Sequence, residues 1–354
     1  MEHLWKQNLR QIEPYVPGEQ SSDPDRIKLN ANENPYPPAP GVEAVLRSYD
    51  PAALCLYPDA NARLLKASIA RHYGVAPEQV FVGNGSDDVL ALAFQSFFNS
   101  DKPIAFPDIT YSFYPVWCRL FHIPFVTYPL TADFRIDPAD YAAPNGGVVL
   151  PNPNAPTSIG EDLPFVQALL EGNRDAVVII DEAYADFGGV SAVPLLADYP
   201  NLLVCGTFSK SRSLAGLRLG FAIGSAELIG VLEAVKNSYN SYTVDNLSLL
   251  CGAAAMDDEA YFAKTTAAVI TTRERVRRAL EQMGFSVLPS RTNFLFATKD
   301  GASMWELFLY LKQRHIYIRY FDLPRIDNYV RITIGTDAQM DAFLQGTEAF
   351  LRGE

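Results

Sequence analysis

Leu202-Leu203-Val204-Cys205-Gly206-Thr207-Phe208-Ser209-Lys210-Ser211-Arg212-Ser213-Leu214-Ala215-Gly216-Leu217-Arg218-Leu219-Gly220 is the stretch on which the reading of the fold turns. Leu202 to Gly206 is a short apolar run of the kind that forms a buried strand. It breaks into a Ser- and Gly-rich loop carrying one lysine and two arginines. A lysine just past a strand end, flanked by hydroxyls and with an arginine eight positions on, suits a covalent amine nucleophile. Such an amine attacks a carbonyl only when neutral, which calls for a partly desolvated, cationic setting. Taken alone, the same residues also describe an ordinary solvated loop. The surrounding chain decides between the two.

Outward from this loop, short apolar strands alternate with helices. Gln79 to Val82, Pro103 to Phe106, Pro124 to Tyr128, Gly147 to Leu150, Ala176 to Ile180, Leu202 to Cys205 and Leu219 to Ile223 read as strands. Helices are expected over Val42–Tyr49, Asn61–Tyr73, Ser86–Phe98, Tyr111–Phe121 and Phe165–Glu171. Strands that are apolar throughout, separated by helices, predict an α/β fold: a mostly parallel sheet covered by helices on both faces. A long helical region with interruptions follows, from about Ala226 to Met283. Alternating strands at Phe285–Leu288, Asn293–Phe296, Ile316–Arg319 and Tyr329–Ile334, around a helix at Met304–Arg314, then predict a smaller α+β C-terminal domain. Ahead of all this lies an irregular arm with Pro14, Pro17, Gly18 and Pro24. The expected division is an arm over 1–28, a large domain over 29–240 and a small domain over 241–354.

Composition narrows the functions. With 354 residues and 48% hydrophobic content the chain can bury a sizeable core. A formal net charge of −12 disfavours nonspecific nucleic-acid or anionic-membrane binding, though a local pocket can still be positive. Cys55, Cys118, Cys205 and Cys251 are scattered, as are the four histidines, so no metal-ligand spacing appears and free thiols are expected. No targeting segment or membrane-length apolar run is seen, and a soluble cytoplasmic protein is expected.

In an open α/β sheet, ligands gather at the carboxyl ends of the strands. After the Val80 strand comes Gly83-Asn84-Gly85-Ser86-Asp87-Asp88, a glycine turn opening a helix, where free N–H groups and the helix dipole suit a phosphate. It lacks the third glycine of a dinucleotide site. After the Gly147 strand comes the stiff loop Pro151-Asn152-Pro153-Asn154-Ala155-Pro156-Thr157. Asp181, Glu182 and Tyr184 follow the Ala176 strand; Ser209, Lys210 and Arg218 follow the Leu202 strand. An acid for a protonated pyridine nitrogen, an amine for a Schiff base, a phosphate cradle and an aromatic to stack on the ring are what pyridoxal 5'-phosphate requires. Each has a candidate here.

These residues, with Leu29-Asn30-Ala31-Asn32-Glu33-Asn34-Pro35, Tyr57-Pro58-Asp59 and Tyr329 to Gly335, give a chain that resembles the fold-type I pyridoxal-phosphate aminotransferases over nearly its whole length. Within them it is most similar to the histidinol-phosphate aminotransferase group. The resemblance implies that Lys210 carries the cofactor and then shuttles a proton, and that Asp181 holds the pyridine nitrogen protonated. It implies that Tyr184 and Asn154 bond the ring oxygen and that Tyr111 stacks on the ring. Ser86, Asp87, Ser209 and Arg218 would bind the phosphate, joined by Tyr57 from a second subunit of a homodimer. Arg331, with Arg319, Tyr15 and Asn154, would meet an amino donor and a 2-oxo acid. Histidinol phosphate and 2-oxoglutarate are the implied pair. Aromatic amino acids, or decarboxylation of threonine phosphate, use the same cofactor residues and stay open, as does a noncatalytic cofactor-binding regulator. Three positions depart from the family pattern: Ser158 where glycine is usual after Pro-Thr, Asn237 to Asn240 where a Pro-Tyr pair is usual, and Arg212. The last either favours the neutral lysine or points to solvent.

Overall fold

A computed structural model describes residues 3–16, 18–19, 22–142 and 144–354; Pro17 of the arm lies outside the described residues. The chain opens with a 3-10 turn at Leu4–Asn8, then β1 (Ile27–Lys28), α1 (Pro40–Ser48) and α2 (Arg63–Tyr73). The alternating stretch follows: β2 (Val80–Gly83), α3 (Ser86–Phe97), β3 (Ile104–Pro107), α4 (Tyr114–Phe121), β4 (Phe125–Tyr128) and β5 (Gly147–Pro151). Next come α5 (Leu163–Glu171), β6 (Val178–Asp181), β7 (Leu202–Thr207) and β8 (Gly220–Gly224). The last third holds α6 (Ala226–Tyr239), α7 (Asn246–Asp257), α8 (Glu259–Gln282), β9 (Ser286–Val287), β10 (Phe294–Thr298) and α9 (Met304–Gln313). It ends with β11 (Ile316–Tyr317), β12 (Arg319–Tyr320), β13 (Val330–Thr333) and α10 (Asp337–Arg352).

The expected sheet is present. Its strands lie in the order β2-β8-β7-β6-β5-β3-β4, all parallel except β8, which runs against both neighbours. Alternate residues of each strand point to opposite faces. Val148, Val178, Ile180, Leu202 and Val204 join the apolar cluster on one face, while Val149, Ile179, Leu203 and Cys205 join that on the other. Both faces are buried, which is why these strands read as unbroken apolar runs; full burial of one such side chain contributes about 1.5–3 kcal/mol.

The second sheet, β12-β13-β10-β9, is antiparallel and packs with α8, α9 and α10 around a third cluster. Two expectations shift here. The single strand expected over Ile316–Arg319 is two: residues 316–317 pair in parallel with β1, and residues 319–320 pair with β13. Buried Ile318 is the pivot between the two sheets. The helical region resolves into α6, α7 and α8, and α7 contributes Leu249, Cys251 and Met256 to a cluster of the large sheet. That cluster therefore continues past residue 240, with α7 lying against α1 and α2. Helix α4 starts at Tyr114 rather than Tyr111, with Pro115 in its first turn, where a missing N–H costs nothing. Cys118, Cys205 and Cys251 are buried free thiols, and Cys55 is exposed.

Candidate active site

The carboxyl ends of β2 and β7 meet across β8, where Gly220 lies opposite both Gly83 and Thr207. This register brings the Gly83–Asp87 turn, the Ser209-Lys210 loop and Arg218 to one edge. Gly220 is required there: a Cβ on it would sit 2.3 Å from the backbone N of Ser86. Gly85, at φ +89°, likewise leaves room for the Arg218 guanidinium, which a Cβ would approach to 2.7 Å. Ser86 and Asp87 occupy the first turn of α3, so their N–H groups have no intrahelical acceptor. Two glycines without side chains, free N–H donors and a guanidinium form a cradle of phosphate size and sign.

That cradle is one end of a cavity of about 400 Å³, lined also by Asp181, Tyr184, Lys210, Tyr111, Tyr15, Arg319 and Arg331. Asp181 ends β6 and is 5% exposed. Its carboxylate accepts the Tyr114 hydroxyl at 3.0 Å and the Ala183 N–H at 3.2 Å. Burial pushes its carboxyl up to about 6, against the pull of those two donors and of Lys210. A cationic ring nitrogen arriving beside it would relieve that burial cost. Lys210 Nζ donates to the Ala31 carbonyl at 3.3 Å and lies 5.8 Å from the centre of the Tyr184 ring. Asn34 pins the lysine's own carbonyl at 2.9 Å. Tyr111 donates its hydroxyl to Asp87 at 2.7 Å, and the other Asp87 oxygen accepts Arg218 at 3.1 Å. These residues fit a pyridine cofactor bearing a phosphate.

A second part of the lining comes from the small sheet. Arg319 and Arg331 are direct cross-strand partners on β12 and β13. Like charges directly opposite repel, and no carboxylate pairs with either among the described residues. Arg331 donates to the Asn30 carbonyl at 2.9 Å, while its Nε is buried without a partner. Burial, then Arg319, lowers its pKa from the ordinary arginine value. A pair of this kind calls for an anion between its members.

Other expected residues fall outside this picture or modify it. Asn154 is 2% exposed and both its amide hydrogens are engaged, with the Ile109 carbonyl and the Thr157 hydroxyl at 3.0 Å each. It reaches a ring oxygen only by giving up one of those bonds. Tyr57 is 82% exposed, stacks on Tyr242 with ring centres 4.6 Å apart, and does not line this cavity. Arg212 follows neither expectation. It is 6% exposed, donates to the Ala255 carbonyl in the last turns of α7 at 3.0 Å, and lies over the Phe262 ring at 3.7 Å. Ser158 keeps the turn that glycine would make, at φ +68°, with its N–H bonded to the Asn154 carbonyl at 2.9 Å. Sequence reasoning gave no role to Tyr114 or Asn32. A fully buried tyrosine needs a hydroxyl partner, which was the available signal for the first.

The family model for aminotransferase class I and II matches residues 24–346, and the chain belongs to that family. It is 51% identical to the histidinol-phosphate aminotransferase of Chromohalobacter salexigens over 352 residues, covering 99% of this chain and 100% of the relative. It is 52% identical to histidinol-phosphate aminotransferase 2 of Dechloromonas aromatica over 346 residues, 97% of each chain. The solved structure of histidinol-phosphate aminotransferase from Sinorhizobium meliloti, in complex with pyridoxal-5'-phosphate, superposes with a TM-score of 0.82 at 25% identity, covering 92% of this chain and 90% of that one.

Proposed function

We propose that the chain is a pyridoxal-phosphate-dependent aminotransferase that takes its amino group from histidinol phosphate and passes it to 2-oxoglutarate at a single cavity. One observation carries the reading: Lys210, buried Asp181, a glycine-backed phosphate cradle and two arginines with no carboxylate partner among the described residues share that cavity. Identity of about half over the full length of proteins named for this substrate supports the choice of donor. When bound, the cofactor supplies an electron sink for the charge developing at the substrate α-carbon.

The chain's own residues do the rest. Lys210 would hold the cofactor through its amine and would move the proton of the substrate α-carbon. Asp181, aimed by Tyr114 and the Ala183 N–H, would keep a proton on the ring nitrogen. The N–H groups of Ser86 and Asp87, the Ser209 hydroxyl and Arg218 take the cofactor phosphate. Tyr111 would cover a ring face, and Tyr184 would bond the ring oxygen, with Asn154 as a second candidate for it. Arg331 grips the carboxylate of glutamate or the phosphate of histidinol phosphate, helped by Arg319 and Tyr15. A bidentate fork suits both anions, so one subsite serves both half-reactions.

The assembly we propose is a cytoplasmic homodimer. Exposed Leu54, Leu56 and Tyr57, with Tyr57 stacked on Tyr242, offer an apolar surface that favours cover, and Tyr57 would reach the partner's phosphate site. Among the described residues no helix is long and apolar enough to cross a membrane. We further propose the arm–large–small division at 1–28, 29–240 and 241–354.

The test loads the purified chain with cofactor and adds histidinol phosphate, glutamate, phenylalanine or threonine phosphate separately. Rapid loss of the visible band with the first two, and slow loss with phenylalanine, is expected. Preference for phenylalanine would make it an aromatic aminotransferase, and carbon dioxide from threonine phosphate would make it a decarboxylase.

A further inference from the structure

Three consecutive residues each hold a different group of the site. The Asn30 carbonyl accepts Arg331, the Ala31 carbonyl accepts Lys210, and the Asn32 side chain donates to the Tyr184 oxygen at 2.9 Å. Asn32 is the one whose chemistry is directional. It is 1% exposed and sits at φ +54°, a left-handed conformation that asparagine tolerates better than other side-chain-bearing residues.

Every polar group of Asn32 is engaged. Its N–H donates to the Thr333 hydroxyl at 3.0 Å, that hydroxyl donates back to Asn32 Oδ1 at 3.0 Å, and its carbonyl accepts Asn293 at 3.0 Å. Thr333 has one hydrogen, and it goes to Oδ1. The amide is therefore locked with its NH₂ toward Tyr184. A phenol oxygen that accepts there must send its own hydrogen elsewhere, and Tyr184 lines the cavity.

We propose that Asn32 is a positioning residue that directs the Tyr184 proton into the cavity, so that Tyr184 meets the cofactor as a donor. This rests on the cofactor reading above. A donor that is itself receiving a hydrogen bond is strengthened by the cooperativity of the chain of bonds. The bracket holding Asn32 is built from β13, the strand that carries Arg331, so the donor direction at the ring is set by the small sheet.

The experiment titrates the visible band of the cofactor-loaded chain against pH. Loss of the Tyr184 donor destabilises the deprotonated form of the lysine-bound cofactor. Tyr184→Phe should accordingly raise the midpoint by about one pH unit or more, and Asn32→Ala by a few tenths. The double variant Asn32→Ala/Tyr184→Phe should match Tyr184→Phe alone, because Asn32 acts through Tyr184. Asn32→Asp preserves shape but offers an acceptor to the phenol; it should raise the midpoint nearly as far as Tyr184→Phe. Unchanged midpoints in Asn32→Ala and Asn32→Asp, or shifts that add in full to that of Tyr184→Phe, would overturn the proposal. Should Asn32→Ala fail to fold, the near-isosteric Asn32→Asp decides. No visible band in the parent chain would bring down the cofactor reading itself, and this proposal with it.

Discussion

The two walls of the cavity solve opposite problems. On the wall built by the large sheet each charged group already has a protein partner: Asp181 has Tyr114 and the Ala183 N–H, and Asp87 has Tyr111 and Arg218. On the wall built by the small sheet, Arg319 and Arg331 face each other across β12 and β13 with no carboxylate partner among the described residues, and Arg331 Nε is buried unpaired. A wall satisfied in advance suits a cofactor that stays. An unsatisfied wall suits anions that come and go, because each arriving anion removes a standing repulsion.

The largest effect should come from the first wall. Lys210→Ala is expected to abolish both the visible band and transamination, with an unchanged circular dichroism spectrum. A surviving band would break the assignment of that wall to the cofactor. The second wall is probed by Arg331→Lys, which keeps the charge but loses the fork. That change should lower kcat/KM for histidinol phosphate and for glutamate by roughly 10–100-fold, since a charge-assisted hydrogen bond contributes about 1.5–3 kcal/mol. Cofactor affinity, measured by equilibrium dialysis, should hold. Loss of cofactor together with substrate would erase the distinction between the walls.

Much of the first wall was legible in the sequence, and the reason is topological. Strands that run parallel end at one edge, so Gly83–Asp87, Asp181 and Lys210 had to converge once their strands were recognised. The second wall needed a register: Arg319 stands opposite Arg331 only because the expected strand splits at Ile318. Arg212 shows the same limit. It lies only two positions from Lys210 in the chain, which draws attention to the lysine as its partner. Its guanidinium nonetheless turns to the end of α7 and the Ala255 carbonyl, 43 positions away in sequence. Local motifs do not encode such partners.

Smaller effects sharpen the same contrast. Glu182, next to Asp181, is buried with one oxygen accepting the Ala192 N–H at 2.6 Å, and burial pushes its carboxyl up to about 8. The folded chain thus holds that proton more tightly than the unfolded chain does. Its contribution to stability is full below the ordinary carboxyl range and is lost as pH rises through about 8. Melting of the cofactor-free protein should therefore fall between about pH 5 and 8, and Glu182→Gln should flatten that decline. Ser158→Gly should have the least effect. Relief of the left-handed serine is set against a freer unfolded chain and a lost hydroxyl bond, so urea unfolding should change by less than about 1 kcal/mol.

The bracket around Asn32 also bears on how the molecule is made. Asn32 and Thr333 are separated by 301 positions, and their bonds close nearly the whole chain into one loop. At the usual pace of synthesis, about 5–20 residues per second, the first partner waits roughly 15–60 seconds for the second. The large sheet can collapse in that interval, with β2 through β8 all translated. The segment around Asn32 cannot: its partner Thr333 is not yet made. The small sheet is thus the clasp of the site: the segment around Asn32 is fastened only once β13 has been made.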